Sequence, residues 1–205
     1  MITKTMSLKE VLLEMSRDYI ETIERVSFRK GRKFRRIVLK SRKFPVIASD
    51  IYVSPRKNMW IMMYTAYNKK HIGGRELVRH GAVADRENGL HLYLLERDDS
   101  LFYLLVFNPH FFNRYKERTG NSKRGVELMR EFLLTSGNMV FEVNKDKCIL
   151  LCDNGVFLGT VEVINKITLA LHLKTYIRED MTYKNQITRL KKYSESMKDE
   201  NDWIL

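Results

Sequence analysis

Residues 108–120, NPHFFNRYKERTG, place a histidine and two arginines four residues apart: His110, Arg114 and Arg118. In a helix this spacing stacks the three side chains in one row along a single face. A neutral imidazole near a helix N-terminus can act as a general base, and two guanidinium groups can grip a phosphate and stabilise developing negative charge. The row therefore predicts chemistry at a phosphate without a metal ion. The alternatives are phosphate contact without catalysis and an ordinary solvated face, with Arg118 capping helix carbonyls.

A second set of polar side chains lies in LALHLKTYI, residues 169–177. Alternate residues of a regular strand point the same way, so His172, Lys174 and Tyr176 are expected to share a face. If that face adjoins the helix row, the site has a base, cations and an acid, which are the groups that cleavage of RNA through its own 2′-hydroxyl needs. The alternative is that His172 is a half-buried histidine and Tyr176 a cross-strand neighbour. The candidate catalytic residues are His110, Arg114, Arg118, His172 and Tyr176.

Several other chemistries lack the residues that they need. None of the five histidines is paired with another at four-residue spacing, and no H-E-x-x-H is present, so neither a metal nor a cofactor is predicted. There is no G-x-S-x-G, and Gly73-Gly74 is not followed by the lysine of a phosphate-binding loop. Cys148 and Cys152 lie in an apolar run, where a reactive thiolate is disfavoured, and two cysteines form no disulfide framework.

The strongest charge feature is the segment from Arg25 to Lys43, which holds ten basic residues and no acid in a chain of net charge +12. Such a block attracts phosphate backbones through counterion release, so nucleic acid is the expected partner, RNA before DNA. The alternatives are a solvated arm without a ligand and a patch that touches acidic protein or a membrane surface. Apolar residues interleaved with the charges predict that part of the segment is a strand. The candidate nucleic-acid-binding residues are Arg29, Lys30, Arg32, Lys33, Arg35, Arg36 and Lys40.

Hydrophobic patterning predicts the elements that position these residues. Ser7 and Glu10 form a capping box for a helix that runs to about residue 23, and β-rich runs follow at residues 35–41, 44–54 and 59–67. Residues 71–89 mix glycine with charge and predict a long loop around a short helical piece. Two strands at residues 91–96 and 101–107 predict a hairpin ahead of the His110 helix, which covers about residues 109–119.

The second half of the chain continues with a helix over about residues 123–135 and four strands in MVFEV, CILLC, VFLGTVEV and ITLALHLKTYI. Apolar residues then recur at helical spacing, which predicts an amphipathic C-terminal helix over residues 178–198. This order predicts an α+β fold with a mainly antiparallel sheet, an N-terminal helix, two central helices and a C-terminal helix. We expect one domain of residues 1–205.

Two observations lead to the expected location of the protein. It contains no window of about 18 apolar residues, and its N-terminal MITKTMSLKEVLLEM carries acids that a signal peptide would not have. The sequence therefore predicts a cytoplasmic protein with no membrane partner. The amphipathic C-terminal helix also provides a way for two copies to associate as a homodimer.

The helix row, together with the β-rich C-terminal half that closes in LKTYI, resembles the metal-independent nuclease superfamily that includes barnase, EndoU and the RelE-type toxins. The corresponding residues are His110, Arg114 and Arg118 on the helix, and Thr175 and Tyr176 near the end of the last strand. The resemblance covers residues 90–180, and the helix at 123–135 has no counterpart in that group. It implies RNA cleavage without a cofactor, as in toxin-like proteins and in phage and mobile-element members.

The sequence thus leads to a nucleic-acid-acting protein, with metal-independent RNA cleavage as the sharpest version. The alternative is a non-catalytic module that uses residues 25–43 to bind nucleic acid or an acidic partner. A third hypothesis is a structural protein that dimerises. The charge pattern does not separate an enzyme from a binding protein, because both need the same cations.

Overall fold

A nine-stranded sheet with helices on both faces forms the body of the protein. The computed structural model describes residues 1–70, 77–97, 100–137, 139–153 and 155–178. The α+β class, the mainly antiparallel sheet, the N-terminal helix and the two central helices are confirmed. The predicted C-terminal helix, residues 178–198, lies outside the described residues except for Arg178.

The N-terminal helix consists of α1 (Leu8–Asp18), a π-helical turn (Tyr19–Ile23) and α2 (Glu24–Lys40). Ser7 and Glu10 form the predicted capping box, in which the Ser7 amide donates to Glu10 Oε2 at 2.7 Å and the Glu10 amide donates to Ser7 Oγ at 3.4 Å. In the π turn the amide of Glu24 donates to the carbonyl of Tyr19, five residues earlier, so an extra residue enters without ending the helix. The helix therefore continues through most of the basic segment.

The strand predicted at residues 35–41 is wrong, because residues 35–40 belong to α2. Val26, Phe34 and Val38 recur at helical spacing and are buried against the sheet, whereas Ile37 and Leu39 are exposed. Over a few residues, alternating apolar and basic side chains fit a helix as well as a strand. Burial of the stripe formed by residues 26, 34 and 38 favours the helix.

The strands run in the order β1-β2-β3-β4-β5-β9-β8-β7-β6. Neighbouring strands are antiparallel except β5 and β9, whose parallel pairing joins two antiparallel halves of the sheet. Two helices, α3 (Pro109–Thr119) and α4 (Gly125–Ser136), connect β5 to β6. The strand bounds are β1 Val46–Val53, β2 Met59–Ala66, β3 Leu77–Arg86, β4 Gly89–Arg97, β5 Phe102–Phe107, β6 Met139–Asn144, β7 Lys147–Cys152, β8 Gly155–Asn165 and β9 Thr168–Arg178.

Strand β3 occupies much of the region predicted as a loop with a helical piece, so that prediction is wrong for residues 77–86. β3 contains small residues with little preference for strands, so its sequence did not show a strand pattern. Packing nevertheless requires one of these small residues, Gly81. A Cβ at Gly81 would lie 2.7 Å from Leu92 Cδ1 and 2.9 Å from Leu94 Cδ2 on the neighbouring strand. The leucines of β4 fill the space that a larger side chain on β3 would need.

The helices divide the core into two layers, one on each face of the sheet. On the first, which we call the N-helix face, Val11 and Phe34 pack with Trp60 of β2. On the second, the α3–α4 face, Phe111 and Phe132 pack with buried aromatic and aliphatic residues from seven of the strands. A side chain of the sheet therefore belongs to one of two separate environments, and this decides which candidate residues can meet.

Candidate functional site

Helix α3 forms with the predicted bounds and carries the histidine row. Asn108 is the N-cap, its side-chain oxygen accepting from the amide of Phe111 at 2.9 Å, and Gly120 ends the helix with φ at 65°. Phe111 and Tyr115 are buried in the core of the α3–α4 face. This packing turns the opposite side of α3, with His110, toward solvent.

Arg114 and Arg118 differ in what they contact. Arg114 is exposed and forms an ion pair with Glu117 at 3.0 Å, less than one turn away, so a carboxylate already offsets its charge. Arg118 is half-buried, and its guanidinium donates a hydrogen bond to the main-chain carbonyl of Tyr176. Arg118 therefore ties the end of α3 to β9 and does not cap carbonyls of its own helix.

Strand β9 does not alternate regularly. Opposite β8, Leu173 pairs with Gly159 and Thr175 pairs with Leu158, which leaves Lys174 as the extra residue of a β-bulge. After the bulge, each residue of β9 points to the face of the sheet opposite to the one that regular alternation would give it. The predicted common face of His172, Lys174 and Tyr176 is therefore wrong for Tyr176, because an inserted residue reverses the alternation.

Tyr176 is a core residue. Its side chain is 1% exposed on the α3–α4 face, with its ring centroid 5.1 Å from that of Tyr115 and 5.6 Å from that of Phe157. The bulge has a sequence signal in Gly159: a Cβ there would lie 2.3 Å from the His172 carbonyl oxygen and 2.9 Å from Cys148 Sγ. A glycine inside a strand pattern is typical of such a close approach of two backbones.

His172 points to the other face of the sheet. Its Nε2 lies 2.9 Å from Glu162 Oε2 of β8, and both side chains belong to the N-helix face. His110 stands on α3, across the sheet from His172. The structure thus joins Arg118 to Tyr176 through the main chain and keeps the two histidines apart. The convergence on which the catalytic hypothesis depends is therefore absent for His110, His172 and Tyr176.

The outward side of α2 carries a row of cations. Successive residues of an α-helix advance about 100° and rise about 1.5 Å, so residues 25, 29, 32, 36 and 40 form a stripe about 22 Å long. The stripe lies opposite the buried Phe34 and Val38. Its members, all exposed, are Arg25, Arg29, Arg32, Arg36 and Lys40. We call this stripe the cation row.

The remaining nucleic-acid candidates surround the cation row. Lys33 and Arg35 are exposed on its two sides, whereas Lys30 is partly buried and pairs with Asp50 of β1. Among the described residues, no carboxylate forms an ion pair with the five residues of the row or with these two flanking residues. Like charges one turn apart repel, so the row is a concentrated and uncompensated positive surface.

Phe28 lies beside the row and was not among the predicted binding residues. Phe28 is 69% exposed, and the guanidinium carbon of Arg32 lies 5.5 Å from its ring centroid. An aromatic ring in solvent, next to a guanidinium, is available for further stacking. The signal was present in the sequence, because a helical wheel of residues 24–40 places Phe28 outside the buried stripe. The first helix was predicted to end at about residue 23, so Phe28 was not assigned to any element.

A buried carboxylate fixes the N-terminal helix to the β1–β2 turn. Asp18, at the end of α1, has no exposed surface. Its Oδ2 accepts hydrogen bonds from Ser54 Oγ at 2.7 Å, Asn58 Nδ2 at 2.7 Å and Trp60 Nε1 at 2.8 Å. Three donors from one turn and strand therefore converge on a single helix position, which holds the helix in register with the sheet.

Glu14, one turn before Asp18, forms a second contact with the same turn. It accepts from Arg56 Nη2 at 2.6 Å and Nε at 3.0 Å, and from Asn58 Nδ2 at 3.0 Å. The hydrogen bond from Arg56 is the main reason that the pKa of Glu14 falls to about 2. The carboxylate is therefore ionised throughout the physiological range.

His80 of β3 contacts the N-terminal helix from the sheet. Its Nε2 lies 2.8 Å from Ser27 Oγ, and its ring meets the edge of the Tyr19 ring with centroids 5.2 Å apart. Burial lowers the pKa of His80 to about 4, so the imidazole is neutral at pH 7. Glu14, Asp18 and His80 together make the helix a fixed support for the cation row.

Comparisons of the chain with protein-family models, with curated proteins and with solved structures found no match. They neither support nor contradict the resemblance to the nuclease superfamily. Within the described ranges, no helix is long and apolar enough to cross a membrane. The same residues contain no group of three or more His, Cys, Asp or Glu arranged to hold a metal ion.

Proposed function

We propose that the protein binds nucleic acid through the outward side of α2, as a non-catalytic module with RNA as its first ligand. The observation that carries this proposal is the cation row, whose five exposed charges have no acidic partner among the described residues. A phosphate backbone relieves the repulsion within the row and releases its own counterions on binding. The proposal includes a cytoplasmic location, where RNA is accessible.

Rigidity adds to the charge argument. Successive members of the cation row are three or four residues apart, so they recur about every 5–6 Å along the helix axis. Because Asp18 and His80 hold the helix against the sheet, these charges are positioned before a ligand arrives. Less conformational entropy is then lost on binding than with a flexible basic arm.

Cleavage is not part of the proposal. Base and acid must reach the same reacting group within hydrogen-bond distance. His110 and His172 lie on opposite sides of the sheet, and Tyr176 is buried among aromatic rings. Nothing in this arrangement favours the ribonuclease hypothesis over simple binding.

The test is the salt dependence of RNA binding, measured by fluorescence anisotropy of a labelled RNA. In a variant with Arg25, Arg29, Arg32 and Arg36 all changed to Gln, affinity should fall at every salt concentration. The slope of log K against log salt should decrease in magnitude by about 3, at about 0.7 per phosphate contact on a single strand.

A control variant with the same loss of charge separates the cation row from net charge. It changes four exposed basic residues elsewhere on the surface to Gln: Arg124, Lys145, Lys147 and Lys166. This variant should keep the slope of the unmodified protein. Equal losses in the two variants, or tighter binding of an acidic polypeptide than of RNA, would refute the proposal.

A further inference from the structure

We propose that the ligand of α2 is a single strand, and that Phe28 stacks on one of its bases while the cation row holds its phosphates. This inference rests on the proposed function and names the form of nucleic acid that the surface takes. It requires a row of cations with an exposed aromatic ring beside it. The outward side of α2 has both.

Phe28 is the exposed aromatic ring beside the cation row. This ring is 69% exposed although α2 buries Val26, Phe34 and Val38, and Arg32 stands over it at 5.5 Å. Arg25, three residues before Phe28, and Arg32, four residues after it, are its neighbours on adjacent turns of the helix. The ring is therefore set between two members of the cation row.

A second apolar side chain is exposed on the same side of the cation row as Phe28. Leu39 is 48% exposed, and Phe28, Arg35 and Leu39 fall on one flank, within about 100° of the centre of the row. This flank therefore presents two apolar side chains with a cation between them. Ile37, which is 53% exposed, lies on the opposite flank and offers a matched control.

Cations beside an exposed aromatic ring fit a single strand better than a duplex. A duplex turns its phosphates outward and keeps its bases stacked inside, so Phe28 would gain no contact with a base. A single strand presents phosphates and base faces to the same surface, and aromatic side chains stack on those faces with little regard to sequence. A guanidinium beside the ring adds a cation–π contribution.

An anionic lipid surface also combines phosphates with apolar groups, but the geometry of α2 fits it less well. A helix that lies in a membrane interface directs its apolar side toward the lipid and keeps its cations to the flanks. Here the cations occupy the outermost positions, and Phe28 and Leu39 lie to one side. The arrangement therefore favours a nucleic-acid strand that lies along the helix axis over a membrane surface that covers the outward side of α2.

The experiment compares one RNA in two forms. Affinity is measured by anisotropy for a labelled single strand of about 16 nucleotides and for the same strand annealed to its complement. The unmodified protein should bind the single strand at least about tenfold more tightly. Phe28→Leu should weaken single-strand binding by about 5- to 100-fold and leave duplex binding unchanged, because leucine keeps the apolar character but loses the stacking ring.

Two further variants and one alternative ligand complete the test. Phe28→Trp should restore single-strand binding, and Ile37→Ala should not change it. Equal affinity for both forms, with no effect of Phe28→Leu, overturns the single-strand inference and leaves the salt-dependent binding of the proposed function intact. Phe28-dependent binding to phosphatidylserine vesicles without a preference between RNA forms also overturns it. A single DNA strand of the same sequence shows whether the 2′-hydroxyl contributes.

Discussion

The indole N–H of Trp60 donates to Asp18 Oδ2 at 2.8 Å, joining β2 to the last residue of α1 immediately before the π turn. Ser54 and Asn58 donate to the same oxygen, and among the described residues nothing donates to Oδ1. One buried oxygen thus organises the contact between the N-terminal helix and the sheet. The position of the cation row depends on this contact, because α2 continues directly from that point.

Asp18→Ala should destabilise the protein by about 3 kcal/mol or more, since three buried donors lose a charged acceptor. Asp18→Asn should have about half that effect, because its amide oxygen can accept the same bonds at the strength of a neutral acceptor. Urea unfolding of the two variants measures the difference. A loss below about 1 kcal/mol for Asp18→Ala would contradict the organising role of this oxygen.

His80 should make stability depend on pH between about 6.5 and 4. Its folded pKa of about 4 lies below the ordinary value of 6.5, so in this range the unfolded chain takes up a proton that the folded protein does not. Stability is therefore full above about pH 6.5 and falls, by about 3 kcal/mol in all, as pH decreases to 4. Urea midpoints measured across this range should show the fall, and His80→Gln should flatten it. An unchanged pH profile in that variant would show that other groups dominate.

Glu14 should act in a lower range of pH. Its folded pKa of about 2 lies below the ordinary value of 4.5, so its contribution is complete above pH 4.5 and is lost as pH falls to 2. Glu14→Gln should reduce the slope of stability against pH below 4.5 and leave the His80 range unchanged. Thermal unfolding followed by circular dichroism tests this separation.

Tyr176 should matter for folding and not for nucleic acid. Removing its buried ring in Tyr176→Ala should cost about 3–5 kcal/mol of stability, as large aromatic truncations in cores do. Tyr176→Phe keeps the ring packed against Tyr115 and should leave RNA affinity unchanged. If the unmodified protein cleaved RNA and a stable, folded Tyr176→Ala variant did not, Tyr176 would have a catalytic role.

The helix that carries the histidine row was predictable because its signals are local. Asn108 caps the start, Pro109 suits the first turn and Gly120 adopts the left-handed conformation that ends the helix. Each of these preferences involves neighbours in sequence, so no tertiary information is needed. The capping box of Ser7 and Glu10 was predictable for the same reason.

The end of the N-terminal helix and strand β3 were not predictable in this way. Residues 35–40 read R-R-I-V-L-K, a short β-rich apolar run between basic residues, and only the burial of Phe34 and Val38 against the sheet selects the helical period. Strand β3 contains Gly81 because leucines from the adjacent strand fill the available space. In both cases packing against residues distant in sequence overrides local preference.

By itself, the sequence determined the α+β class, the residue types available for chemistry and the dense positive charge of residues 25–43, because composition, caps and periodicity are local properties. Only the tertiary structure decided which of these residues face one another. A single bulge at Lys174 sends Tyr176 into the core while His172 faces the opposite layer, and a continuous helix aligns five cations beside Phe28. The physical reason is that a side chain's direction depends on every residue inserted along its strand or helix, and on the partner surface that buries the remaining side chains.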